Sequence, residues 1–69
     1  MEEVTKFSVF LNGSNERTTY RIVEEHNVYR IQEYLPNTRK WVSAYSDELW
    51  FSNMDAVLSS SYFQRLFLN

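Results

Sequence analysis

The chain has 69 residues, no cysteine and one histidine, which excludes a disulfide framework and leaves no ligand set for a cysteine- or histidine-based zinc site. We expect a single domain over residues 1–69, and a chain this short buries only about 60% of the surface that its unfolded form exposes. The formal net charge of −2 argues against strong, sequence-independent binding to nucleic-acid phosphates. The 17% aromatic content indicates that dense aromatic packing and self-association stabilise the fold.

The first two thirds of the chain predict β-strands, because apolar residues alternate there at period two. The expected strands cover residues 4–11, 17–25, 28–35 and 40–45, and residues 49–51 are either a short fifth strand or the lead-in to a helix. One face of the resulting sheet is apolar, and its residues are Phe7, Val9, Leu11, Tyr20, Ile22, Tyr29, Ile31, Val42 and Ala44.

Turn residues predict the register of these strands. A two-residue turn at residues 26–27 and a turn at Pro36 and Asn37 set the second, third and fourth strands against one another. The expected pairs are Glu25 with Val28, Ile22 with Ile31, Tyr20 with Glu33, Arg21 with Gln32, Thr19 with Tyr34, Ile31 with Ala44, Glu33 with Val42, Tyr34 with Trp41 and Arg30 with Tyr45. For the first hairpin we expect Leu11 opposite Thr18, Val9 opposite Tyr20 and Phe7 opposite Ile22.

The last third predicts one helix that begins near Met54, where Ser and Asn offer a helix start. Its apolar stripe comprises Met54, Val57, Leu58, Tyr62 and Leu66, and we expect Met54, Leu58 and Tyr62 to pack on Ile22, Ile31 and Val42. Phe63 and Phe67 lie about 100–180° from that stripe, so we expect a second copy or a partner to cover them. Three serines at residues 59–61 have three interpretations: they allow another helix to approach closely, they mark a bend in the helix, or their side chains are simply exposed to solvent.

The sheet face opposite the helix is rich in aromatic and basic residues. Its candidate binding residues are Arg21, Arg30, Tyr34, Trp41 and Tyr45. Bases can stack on such rings while arginine neutralises phosphates. Tyr, Trp and Arg are also enriched at protein-interface hot spots, and the same residues could instead form a cross-strand cluster with arginine stems lying across the rings.

The sequence contains titratable residues of the types used in catalysis, but no recognisable nucleophile or catalytic pair accompanies them. His26 stands beside Glu24 and Glu25 at a hairpin tip, where a solvated polar turn is the simpler interpretation. Asp47 and Glu48 are adjacent and form an ordinary surface charge pair. We therefore predict no catalytic, cofactor-binding or metal-ligating residue, no small-molecule substrate and no enzyme activity.

Together these patterns predict an α+β fold: a small antiparallel β-meander of three to five strands with one C-terminal α-helix packed on one face. The expected function is a non-enzymatic protein-interaction or regulatory module that self-associates as a homodimer. Viral and mobile-element accessory proteins that bind host proteins have similar size and composition. The alternative is a single-stranded nucleic-acid-binding module that uses the aromatic and basic sheet face. With no leader and no long apolar run, we expect a cytoplasmic protein without membrane contact.

Overall fold

The structure, a computed structural model, describes residues 1–10 and 15–67. Four antiparallel strands lie in chain order, β1 (Glu2–Phe10), β2 (Arg17–Glu25), β3 (Val28–Leu35) and β4 (Lys40–Ser43). Two short helices follow, α1 (Met54–Ser59) and α2 (Ser61–Arg65), in place of the single helix that the sequence predicts. The antiparallel meander and the α+β class are therefore confirmed, at four strands.

The predicted register of β2, β3 and β4 is confirmed. Ile22 pairs with Ile31, and Tyr34 pairs with Trp41. The β2–β3 turn has positive φ at both central residues, 56° at His26 and 65° at Asn27, as a two-residue hairpin turn requires. Beyond the end of β4, the Ala44 amide donates to the Ile31 carbonyl over 3.0 Å, which is the pairing expected there.

The predicted register of the first hairpin is wrong. Phe7 lies opposite Tyr20, not Ile22, and Val9 lies opposite Thr18. The displacement is by two residues, which leaves every side chain on its expected face, so the alternation of apolar residues does not distinguish the two registers. A register irregularity between Glu3 and Thr5 extends the departure to the start of β1. Leu11, which was expected opposite Thr18 on the apolar face, lies outside the described residues.

The core lies between the sheet and the two helices. Ile22 and Val57 have no exposed surface, and Ile31 and Leu66 are buried beside them. The apolar residues that pack around this centre are Phe7, Tyr20, Tyr29, Ala44, Phe51, Met54 and Phe63. Much of the predicted apolar face therefore contributes to the core.

Three residues that were expected in the core are exposed. Leu58 is 46% exposed, Tyr62 38% and Val42 37%, so the expected burial of Leu58 and Tyr62 against Ile22, Ile31 and Val42 is wrong, whereas Met54 packs against the core as expected. The cause is a change of chain direction after Ser59. Because the helix ends there, the stripe predicted for one continuous helix does not persist along residues 54–66.

Ser60 accounts for the break between the two helices. Its backbone is extended, with φ −73° and ψ 150°, and Ser60 is both the C-cap of α1 and the N-cap of α2. Its hydroxyl donates to the Val57 carbonyl over 2.7 Å and accepts from the Phe63 amide over 3.1 Å. Of the three interpretations of the serine run, the bend is confirmed.

Arg39 offers a test of the β3–β4 turn. Its φ is 57°, a left-handed conformation that costs a residue with a Cβ about 1–2 kcal/mol, and its amide donates to the Leu35 carbonyl over 2.8 Å. We expect Arg39→Gly to raise the free energy of unfolding by about 0.5–1 kcal/mol, because glycine adopts this conformation without the steric penalty and keeps the amide. Urea unfolding measures the change. Arg39→Ala retains the Cβ and should give no gain, and equal stability of the two variants would contradict the prediction.

Candidate interaction surfaces

Four side chains form a connected group on the sheet face opposite the helices. This outer-face cluster consists of Arg21, Gln32, Tyr34 and Trp41. The Arg21 Nε donates to Gln32 Oε1 over 2.7 Å, and the Arg21 Cζ lies 4.3 Å from the centroid of the Trp41 ring. The Tyr34 ring centroid is 5.1 Å from that of Trp41. Because these residues sit on three adjacent strands whose register is fixed, the cluster spans β2, β3 and β4.

The Arg21 guanidinium is held from three directions. Besides Gln32 and Trp41 it contacts Glu3, whose carboxylate oxygen lies 3.6 Å from its Nη1. The Arg21 side chain is only 17% exposed, against 41% for Glu3. With its Nε and Nη1 atoms engaged, the Arg21 guanidinium is held in place over the indole and covers one face of the Trp41 ring.

Four of the five predicted sheet-face residues share the outer face, and Tyr45 does not. Arg30 pairs with Val23 on β2, which places it on the side of Arg21. The Tyr45 hydroxyl donates to the Tyr62 carbonyl over 2.6 Å, and their ring centroids are 5.0 Å apart, so Tyr45 packs on α2. The expected outer-face position is wrong because β4 ends at Ser43, and strand alternation no longer fixes the direction of a residue beyond it.

A second group of aromatic rings lies on the helix side, beside β1. This phenylalanine cluster consists of Phe7, Phe63 and Phe67, with ring centroids 5.2–5.6 Å apart. Phe63 packs against the core of its own chain, contrary to the expectation that a second copy or a partner covers it. Phe67 is 51% exposed. The binding role predicted for these two residues therefore fits Phe67 better than Phe63.

Beside Trp41 lies an open groove. Its volume is about 480 Å³, and its lining residues are Gln32, Trp41, Val42, Ser43, Tyr45 and Asp47. One wall is fixed by a hydrogen bond of 2.7 Å from the Ser43 hydroxyl to Asp47 Oδ1. A groove of this size next to an aromatic ring can accept one or two side chains of a partner.

Two features of the surface were not anticipated from the sequence. The first is Trp50, which is 55% exposed. The next residue, Phe51, returns to the sheet and exchanges two backbone hydrogen bonds of 2.8 Å with Tyr29. Val23 is 3% exposed although it lies on the outer face. A lone valine among polar neighbours on a strand carries no sequence signal of burial.

Two tyrosine hydroxyls on the helix side of the sheet have raised pKa values. Burial, and after it the charge of Glu33, raises the pKa of the Tyr20 hydroxyl above 10.0, and burial also raises the pKa of Tyr45. Both phenols thus stay neutral hydrogen-bond donors at physiological pH. Within residues 1–10 and 15–67, no group of three or more His, Asp or Glu side chains could hold a metal ion.

The helices of the described segments are all too short or too polar to cross a membrane. No protein-family model matches the chain, and neither a curated protein nor a solved structure shows significant similarity to it.

Proposed function

We propose that the protein is a small, non-enzymatic interaction module of the cytoplasm that binds a partner protein through Trp41 and the groove beside it. The observation that carries this proposal is the position of the Arg21 guanidinium over the Trp41 ring, 4.3 Å from its centroid. Arginine and tryptophan are among the residue types that contribute most to binding energy at protein interfaces.

Preorganisation supports this use of the outer face. The hydrogen bond from Arg21 to Gln32 and the contact of Tyr34 with Trp41 fix the rings before any partner arrives. Side chains that are already ordered lose little conformational entropy on binding, so more of the contact energy remains as affinity. The adjoining groove supplies a recess of about 480 Å³ for a partner side chain.

The alternative, single-stranded nucleic-acid binding, has less support. A base that stacks on Trp41 needs a free ring face, and Arg21 occupies one of them. The same arginine is within 3.6 Å of the Glu3 carboxylate, which competes with a phosphate for it. The formal net charge of −2 also opposes binding to a polyanion.

Affinity purification with the wild type, Trp41→Ala and Leu58→Ala tests the proposal. Leu58 is an exposed apolar residue on the helix side, so Leu58→Ala controls for general loss of apolar surface. A partner should be recovered by the wild type and by Leu58→Ala, and calorimetry with that purified partner should show affinity reduced about thirtyfold by Trp41→Ala, which corresponds to about 2 kcal/mol.

Two results would contradict the proposal. The first is equal affinity of a purified partner for Trp41→Ala and the wild type. The second is tight binding of a single-stranded oligonucleotide near physiological salt that Trp41→Ala abolishes in a folded protein, which would establish the nucleic-acid alternative. Circular dichroism confirms that each variant is folded.

A further inference from the structure

We infer that two copies of the chain pair antiparallel along β1, with the Phe7 residues of the two copies opposite each other, to form one continuous eight-stranded sheet. This surface lies on a different edge of the molecule from the Trp41 groove. It therefore goes beyond the proposed partner-binding function and can be tested separately from it.

The first observation is the length of the β1 edge. β1 has nine residues and is the outermost strand of the sheet; within residues 1–10 and 15–67 it pairs with β2 alone. At the opposite edge, β4 has only four residues, and the bridge of Phe51 to Tyr29 occupies β3 farther along. A long strand that pairs on one side offers a row of backbone donors and acceptors to another strand.

The second observation is the phenylalanine cluster beside this same edge. Phe7 projects from β1 toward the helices and stacks on Phe67, whose ring is 51% exposed. A second copy related by a two-fold axis beside Phe7 would bring its own cluster against this one on the same side of the sheet. Such pairing covers apolar surface that the monomer leaves in water.

Side-chain faces and charges restrict the possible registers. Residues opposite each other in an antiparallel pair must lie on one face, so a two-fold axis that lies beside β1 and perpendicular to the sheet pairs residues an even number of positions apart. An axis at Lys6 would set two lysines directly opposite, which repel. An axis at Phe7 sets Thr5 opposite Val9 and Lys6 opposite Ser8, and uses the part of β1 beyond the irregularity between Glu3 and Thr5.

A second copy fits this edge better than a foreign strand because β1 is complementary to itself in that register. Thr5, Phe7 and Val9 lie on the helix side and would meet one another, while Lys6 and Ser8 lie on the outer face. Each copy of β1 begins with two acidic residues, Glu2 and Glu3. The antiparallel arrangement separates the acidic starts of the two copies, whereas a parallel arrangement would place them side by side.

Charge variants at Ser8 test the register by sedimentation equilibrium. We expect the wild type to have a mass of about twice the 8.4 kDa of one chain at micromolar concentration. Ser8→Lys sets a like charge opposite Lys6 at two equivalent places and should raise the dimer dissociation constant about tenfold, whereas Ser8→Glu should lower it severalfold. Ser8→Ala controls for loss of the 3.0 Å hydrogen bond between the Ser8 and Thr19 hydroxyls.

A monomeric wild type at millimolar concentration would overturn the inference. So would a dimer whose dissociation constant is the same in Ser8→Lys and Ser8→Glu, because such a dimer uses another surface or register. Trp41→Ala should leave the dimer intact. The loss of partner binding and the loss of dimerisation can therefore be distinguished.

Discussion

Leu66→Ala is expected to lower the free energy of unfolding by about 2–5 kcal/mol, and Leu58→Ala by less than about 1 kcal/mol. The two leucines are eight residues apart and were expected on the same buried stripe. Leu66 is 9% exposed and belongs to the core with Ile22, Ile31 and Val57, whereas Leu58 is 46% exposed. Truncation of Leu66 leaves a cavity, and truncation of Leu58 removes atoms that are largely in water.

Urea unfolding followed by far-ultraviolet circular dichroism measures both changes. A chain of 69 residues has only a few kcal/mol of net stability, so Leu66→Ala should be substantially unfolded at 37 °C. Equal losses for the two leucines, or a larger loss for Leu58→Ala, would contradict the bend at Ser60. In that case the helix would continue and bury the stripe predicted from the sequence.

Phe63→Ala should cost about 2–3 kcal/mol of folding free energy, and Phe67→Ala about 1 kcal/mol or less. Phe63 packs against the core and makes edge contacts with both Phe7 and Phe67. Phe67 contacts the rings of Phe7 and Phe63 from the solvent side and is 51% exposed. The two residues therefore have different roles although they are one helical turn apart in sequence.

Thermal melts at low protein concentration, where any dimer has dissociated, separate these roles. Phe67→Ala should melt close to the wild type yet raise the dimer dissociation constant at higher concentration. Phe63→Ala should melt well below both. If Phe67→Ala is the more destabilised monomer, Phe67 is the structural member of the pair and our assignment is reversed.

Most of the sheet follows from the sequence because independent signals agree there. A two-residue turn at His26 and Asn27 gives the same faces for β2 and β3 as the alternation of apolar residues does. The pair of Tyr34 with Trp41, and the position of Arg21 on the same face, follow from these signals. The members of the outer-face cluster were thus predictable, whereas the position of Tyr45 was not.

Two of the errors arise where a single side chain overrides a periodic pattern, and a third arises where the pattern does not distinguish two registers. The two hydrogen bonds of the Ser60 hydroxyl end one helix and begin another, and a run of three serines does not reveal which of them does so. Tyr45 turns toward α2 because its hydroxyl reaches the Tyr62 carbonyl, a contact distant in sequence. A shift of two residues in the first hairpin preserves every face and so leaves no trace in the pattern.

Strand order along the sheet follows chain order, and the connections between successive strands cover residues 11–16, 26–27 and 36–39. Each hairpin therefore closes a short loop, which costs little chain entropy before its contacts form. The β2–β3 hairpin has the shortest connection and carries both central isoleucines, so it can form first and serve as the template on which β1 and β4 add from either side. In that order of assembly β1 is the strand that presents a backbone edge to a further strand, since among residues 1–10 and 15–67 its ladder is with β2 alone.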